Sequence, residues 1–271
     1  MSDSQKVKPV KSELTSEEAY NRFFTPVRRS PTAAEKIVID QAEVSCLSSN
    51  LVDVFLYSWG AGPTVLLVHG WGGCASQLSA FVSPLVDSGY RVLACDLPAH
   101  GQTAGEQTNA FEFAETLLAI AAEENKFQGI IAHSWGSAAT IVAMTEREIA
   151  QRVVCLGTPC WLSSSVSTIS KMLKLSTETD AAMRQLFEHR LGQNVWQRAS
   201  MDLRATELSV PGLLFHDIKD RKVDYKESEA IAATWKNAEL VLTSGLGHTR
   251  ILRNPEVVQR AIAFAIQDVL R

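Results

Sequence analysis

GIIAHSWGSAATIVAM, residues 129–144, carries the local pattern from which the rest of the chain can be read. Its first part, GIIAHS (129–134), is too short for a typical helix and too continuously apolar for a strand with one wet face. Runs of this kind suit a parallel sheet covered on both faces. Its second part, SAATIVAM, reads as a helix of small residues. Between them AHSWG (132–136) sets Ser134 on a sharp strand-to-helix turn. There its hydroxyl is lifted above the sheet edge, beside the positive end of a helix dipole. The turn requires small neighbours two residues away, and Ala132 and Gly136 are small. A serine in this place also serves as an ordinary helix N-cap, so the turn alone does not make a nucleophile.

Similar apolar runs recur outward from it: TVLLVH (64–69), RVLACDL (91–97), RVVCLGT (152–158), GLLFHD (212–217) and AELVLTS (238–244). Amphipathic stretches near 76–88, 109–125, 135–149, 225–236 and 254–269 separate or follow them. This alternation implies an α/β domain with right-handed crossovers. Upstream, KIVIDQAEVSCL and LVDVFLYSW alternate and are β-rich around the turn signal Ser48–Ser49–Asn50, which predicts a hairpin beginning at Lys36. Residues 1–35 are polar, carry Pro26, Pro31 and the pair Arg28–Arg29, and read as an arm with one short helix at Ser16–Phe24. Between Thr158 and Val210 the strand pattern stops, and MLKL and AAMRQLFEHRL are helix-like. The organisation this predicts is an arm (1–35), a core (36–158 and 209–271) and an inserted helical cap (159–208).

Composition narrows the class. A chain of 271 residues, 46% of them apolar, can bury a sizeable core without staples. Its net charge of −4, from 26 basic and 30 acidic residues, argues against nucleic acid as a principal partner. No run approaches the roughly 18 apolar residues of a membrane span, and the polar N-terminus has no signal-peptide core. The five cysteines are odd in number and lack close pairing, as expected of reduced thiols in a cytoplasmic protein. Disordered, collagen-like, disulfide-scaffold and membrane classes are excluded. Oligomeric state leaves no pattern here.

In an open parallel sheet, ligands bind at the carboxyl ends of the strands. There the chain places His69–Gly70–Trp71, Asp96, His133–Ser134–Trp135, Asp217 with Asp220, and His248. A serine hydroxyl needs a base to become a nucleophile, and the base needs an orienting acid. Of six histidines, His216 lies inside an apolar strand as a core residue, His100 follows a strand and organises a loop, and His189 is in the cap. His248 follows the last strand through Gly245 and Gly247, which let the backbone bring an imidazole over the sheet edge. Two acids compete: Asp220 lies beyond the strand end, where a loop turns toward a neighbouring histidine, while Asp217 could instead cap that turn. Asp220 is preferred. HGWGG (69–73) ends a strand with three glycines, so the backbone N–H of Trp71 can be aimed toward Ser134, with that of Trp135 as a second oxyanion donor.

These residues resemble the α/β-hydrolase superfamily, in esterase- and lipase-like form. His69–Gly70, DLPAHG (96–101), AHSWG, H-x-x-x-D-x-x-V (216–223) and Gly247–His248 stand in its order, with the nucleophile before the acid and the acid before the histidine. The likeness covers residues 36–271. It implies a mostly parallel eight-stranded sheet with helices on both faces, a cap after the sixth strand, and no cofactor or metal. It also implies Ser134 as nucleophile, His248 as base, Asp220 as acid, and the Trp71 and Trp135 amides as oxyanion donors. Three positions depart from the pattern: Ala132, Ala99 and Asp217 stand where glycine is usual.

Two other readings share the motifs. Gly70–Ala75 is a literal G-x-G-x-x-A with Asp96 ending the next strand, the fingerprint of a dinucleotide-dependent oxidoreductase. It leaves Ser134, Asp220 and His248 unexplained. A non-catalytic binding module on the same fold is the other. The reading preferred is a serine hydrolase acting on a small or medium, apolar carboxylic ester. Trp71, Trp135 and Trp161 would line its pocket, while Trp196 is as well suited to anchoring the cap to the main domain. Thioester, lactone, amide and carbon–carbon substrates are served by the same groups.

Overall fold

The computed structural model describes residues 14–49, 52–124 and 126–267. It opens with α1 (Ser16–Phe24) and α2 (Ala33–Ile39), each started by a capping box, Thr15 with Glu18 and Thr32 with Glu35. The first falls on the stretch read as the arm's helix. The second corrects the strand read from Lys36. The Thr32 hydroxyl accepts from the Glu35 amide and the Glu35 carboxylate accepts from Thr32, and this nucleation outweighs the β-propensity of KIVI. The first strand, β1, is therefore only Glu43–Leu47. It pairs antiparallel with β2 (Val54–Trp59), so the hairpin stands, although Asn50 of its turn lies outside the described residues.

Six further strands fall on the six apolar runs: β3 (Thr64–Val68), β4 (Arg91–Cys95), β5 (Gly129–His133), β6 (Val153–Leu156), β7 (Gly212–Asp217) and β8 (Ala238–Thr243). They form one sheet of eight strands, ordered β1-β2-β4-β3-β5-β6-β7-β8. Strand β2 is antiparallel to both its neighbours, and β4, β3, β5, β6, β7 and β8 run parallel. A 3₁₀ turn (Ala75–Phe81) leads into α3 (Val82–Asp87), and α4 (Ala110–Glu123) and α5 (Trp135–Glu146) flank β5 in sequence. Between β6 and β7 lie α6 (Leu162–Leu173), α7 (Thr177–Leu191), α8 (Val195–Arg198) and α9 (Met201–Ala205), all helical as the missing strand pattern suggests. The chain closes with α10 (Tyr225–Thr234), α11 (Gly247–Arg250) and α12 (Pro255–Ala265).

Alternation along the buried strands divides the core in two. Leu66 and Val68 of β3 join Phe113, Leu117 and Ile141 on one face, while Val65 and Leu67 join Phe81, Leu85 and Val258 on the other. Burying each large side chain stabilises the fold by about 1.5–3 kcal/mol, and both faces are needed to hold strand ends in register. A third cluster stands apart from the sheet. Ala19, Tyr20 and Phe24 of α1 pack with Val166 of α6 and with Met183 and Phe187 of α7.

Candidate active site

Ser134 links β5 to α5 with φ 52° and ψ −125°, a conformation that costs a non-glycine residue about 1–3 kcal/mol. The surrounding bonds impose it: its amide donates to Leu156 O at 2.8 Å and its carbonyl accepts from Ser137 at 2.9 Å. The side chain makes no capping bond, which removes the N-cap alternative. Gly136 allows α5 to lie against the 69–73 loop, since a Cβ there would sit 2.2 Å from His69 O.

His248, on α11, reaches Ser134 Oγ with Nε2 at 3.1 Å and Asp220 Oδ2 with Nδ1 at 2.6 Å. The other Asp220 oxygen accepts from the amides of Lys222 (2.8 Å) and Val223 (3.1 Å), which fixes the carboxylate's rotation. Burial alone would raise the Asp220 pKa. Hydrogen bonds from His216 and His248, the His248 charge and the Lys222 amide outweigh it and hold the carboxyl well below the usual carboxylate range. Asp217 has a different job. Its oxygens accept from Lys219 N (2.9 Å), Thr243 Oγ1 (2.9 Å) and Leu246 N (2.8 Å). These bonds outweigh burial, lower its pKa, and brace the loop that carries His248. The structure thus brings together Ser134, Asp220 and His248, and leaves Asp217 out.

Three residues to which sequence reasoning gave no part in the triad complete this arrangement. Gly157, at φ +60° after β6, leaves the gap that the acid and imidazole fill: a Cβ there would lie 3.3 Å from His248 Nδ1 and 3.6 Å from Asp220 Oδ2. His216 is the buried core residue its strand suggests, with Nε2 3.1 Å from Val223 O and 3.5 Å from Asp220 Oδ2. A carbonyl only accepts, so Nε2 carries the proton and Nδ1 accepts from Ser228 Oγ at 2.6 Å in the neutral ring. By the same logic His133 donates from Nε2 to His248 O at 2.9 Å and leaves Nδ1 without a partner. Burial, and then the His248 charge, push the His133 ring well below its ordinary pKa. Sequence offers one signal for these roles, their placement at or beside strand ends.

A cavity of about 230 Å³ opens onto Ser134 and His248. Trp71 and Trp135 line it as expected. Trp161 does not, a correction with a clear cause: its indole N–H donates to Asp202 Oδ2 at 3.1 Å, and Glu227 takes its amide, so the ring is held on α9. Trp196 stacks on Phe187 and donates to Glu188, so these contacts tie α8 to α7 instead of anchoring the helical insertion to the main domain as expected. Phe23 and Phe24, from the arm, also line the cavity. Lys222 is the single formally charged residue among those that line it. Asp96, the acid of the dinucleotide fingerprint, is buried with Oδ1 on Ala75 N (2.8 Å) and Oδ2 on Tyr57 O–H and Gln102 N (both 2.9 Å). Buried and bonded inward on both oxygens, it is not presented to a ribose. Among the described residues no three His, Cys, Asp or Glu side chains converge as a metal-binding group, and no helix is long and apolar enough to cross a membrane.

Comparison with known proteins extends this geometry. Protein ABHD8 of Bos taurus is 28% identical over 241 residues, which cover 73% of this chain and 55% of that protein. The chain thus spans about half the length of the curated relatives it matches first. Over 50 residues, 18% of this chain and 19% of the other, it is 44% identical to the pimeloyl-acyl-carrier-protein methyl ester esterase of Methylococcus capsulatus. Among solved structures the esterase Pf2001 of Pyrococcus furiosus shares the fold with a TM-score of 0.67 and 20% identity, over 88% of this chain and 97% of that one. Residues 65–261 match the model of one family, and with most of the sheet and the whole constellation inside that span, this chain belongs to the alpha/beta hydrolase family.

Proposed function

We propose that this protein is a serine hydrolase that cleaves small or medium, apolar carboxylic esters through an acyl-enzyme. One observation carries the reading: a single imidazole stands between Ser134 Oγ and Asp220 Oδ2, within hydrogen-bonding reach of both. His248 Nε2 takes the Ser134 proton as Oγ attacks the substrate carbonyl. Asp220 keeps the proton on Nδ1 and stabilises the imidazolium that forms. His248 then gives its proton to the departing alkoxide, and repeats the sequence with water to release the acid. The tetrahedral oxyanion is assigned to the backbone N–H groups of Trp71 and Trp135. Trp135 opens α5, where first-turn amides have no helical acceptor, and each such donor is worth about 3–4 kcal/mol at the barrier.

The ester class is supported by the cavity wall, where aromatic and aliphatic side chains such as Trp71, Phe111, Trp135, Leu162 and Leu191 predominate. The name of the Methylococcus relative, an esterase of a methyl ester, points the same way. A fluorophosphonate probe tests the mechanism. It should label the wild type at Ser134 and leave Ser134→Ala unlabelled, with nitrophenyl ester hydrolysis lost in step. Full hydrolysis by Ser134→Ala refutes the proposal.

A further inference from the structure

The N-terminal helix lies outside the span that matches the family, yet it contributes two aromatic side chains to the cavity at Ser134. We infer that α1 is the specificity element of this site: Phe23 and Phe24 close the acyl-binding part of the cavity and select acyl groups of medium length. This rests on the ester reading given above and goes on to say which acyl groups are taken and which segment chooses them.

The packing shows that α1 is a built part of the wall. Tyr20, Phe23 and Phe24 surround Phe187 of α7 with ring centroids 5.0–5.1 Å apart. Aromatic contacts of this kind add to simple burial. On the cap side, Arg190 donates to Glu17 at 2.6 Å while its guanidinium lies 4.6 Å from the Tyr20 ring centre. On the core side, Phe24 O accepts from Thr108 N at 3.0 Å. Just after the helix, Arg28 donates to Gly101 O and Gly105 O, both at 2.8 Å. The helix is therefore clamped between α7 and the 101–108 loop, with Phe23 and Phe24 lining the cavity. That space, about 230 Å³, is many times the roughly 30 Å³ share of one water, so an acyl chain of several methylenes has room beside Ser134 while an acetyl group leaves most of it empty.

The test is kcat/KM for nitrophenyl acetate, butyrate, octanoate and palmitate with the full-length protein. The wild type should favour octanoate over both acetate and palmitate. Phe23→Ala should lower the octanoate-to-acetate ratio about tenfold, roughly the worth of two buried methylenes, and Phe23→Trp should move the optimum to butyrate. The double variant Arg28→Ala/Arg190→Ala, which unclamps α1 without touching the cavity wall, should flatten the chain-length profile, and it serves alongside Phe23→Trp if Phe23→Ala does not fold. A wild type that hydrolyses these esters without favouring octanoate overturns the inference, as do variants that keep its ratios within twofold. In both cases the hydrolase reading survives. A wild type that hydrolyses none of the four overturns the ester reading itself.

Discussion

His69 and His100 sit fully buried behind the loop that carries Trp71, and each is bonded as a neutral ring. Their Nδ1–H groups donate to Gly70 O (2.8 Å) and Pro98 O (2.9 Å). Their bare Nε2 atoms accept from Leu97 N (3.0 Å) and Gly72 N (2.8 Å). A proton on either Nε2 would set two donors face to face. Burial pushes the rings down from 6.5 to about 4 for His69 and, with the neighbouring His69 charge, to about 3 for His100. In the unfolded chain both titrate near 6.5. Below that pH the unfolded state binds protons that the folded state refuses, so stability falls as pH drops, until the folded values are reached. Each ring contributes about 1.4 kcal/mol per pH unit. From pH 6.5, where the unfolded ring is already half protonated, to pH 5 that is about 1.6 kcal/mol each and about 3 together, a large share of the 5–15 kcal/mol typical of a whole domain. His133 acts in the same sense, while Glu112 and Glu227, raised by burial, oppose it at the acid end. Urea unfolding at pH 6.5 and 5 should register the loss. His100→Asn should unfold more easily at neutral pH yet lose about 1.6 kcal/mol less between those two pH values. A change below 1 kcal/mol in the wild type, or an unaltered slope in the variant, refutes the reasoning.

Three further outcomes are expected. Asp220→Asn should cut kcat by a thousand- to ten-thousandfold, because the imidazole loses the partner that fixes its tautomer. Asp217→Asn should lower the melting temperature while changing kcat less than tenfold, and steady-state rates beside thermal melts separate the two; reversed effects would exchange the carboxylates' roles. Glu35, its side chain 2% exposed, holds both Arg29 and Arg253 at 2.5 Å and so ties α2 to the turn after α11. Breaking a buried pair costs about 3–5 kcal/mol. Arg253 is 51% exposed, so Glu35→Gln should cost nearer about 2 kcal/mol, or about 4–8 °C in Tm; an unchanged Tm would mean that the pairs are fully screened.

The parallel strands were legible because burial on both faces leaves a mark that survives without structure. GLLFHD coincides with β7 residue for residue, and each of the other five runs contains its strand. Strand ends then located Ser134, His248 and both candidate acids, the groups to which the proposed chemistry is assigned. The choice between Asp217 and Asp220 was a different matter, since it turns on which carboxylate faces the gap at Gly157, and three residues of spacing hold no information on direction. Trp161 was misplaced for a related reason. Its position after β6 puts it near the sheet edge, but the acceptor that captures its indole, Asp202, lies 41 residues further on in the cap.

The arm shows where such reading stops. Ala19, Tyr20, Phe23 and Phe24 recur at helical spacing, which is enough to call a helix and to say that one face must be covered. What covers it is decided by Phe187, Leu162 and Val166, all more than 130 residues away, and no local pattern names them. Motif reasoning is equally silent, because the chemistry it recognises is concentrated at strand ends and α1 lies far from them in sequence. The groups of the proposed triad are tied to the sheet, so their positions follow from the fold. The cavity wall is assembled in part from α1 and from helices between β6 and β7 that the sheet does not dictate, so on the proposed reading substrate choice can change while Ser134, Asp220 and His248 stay in place.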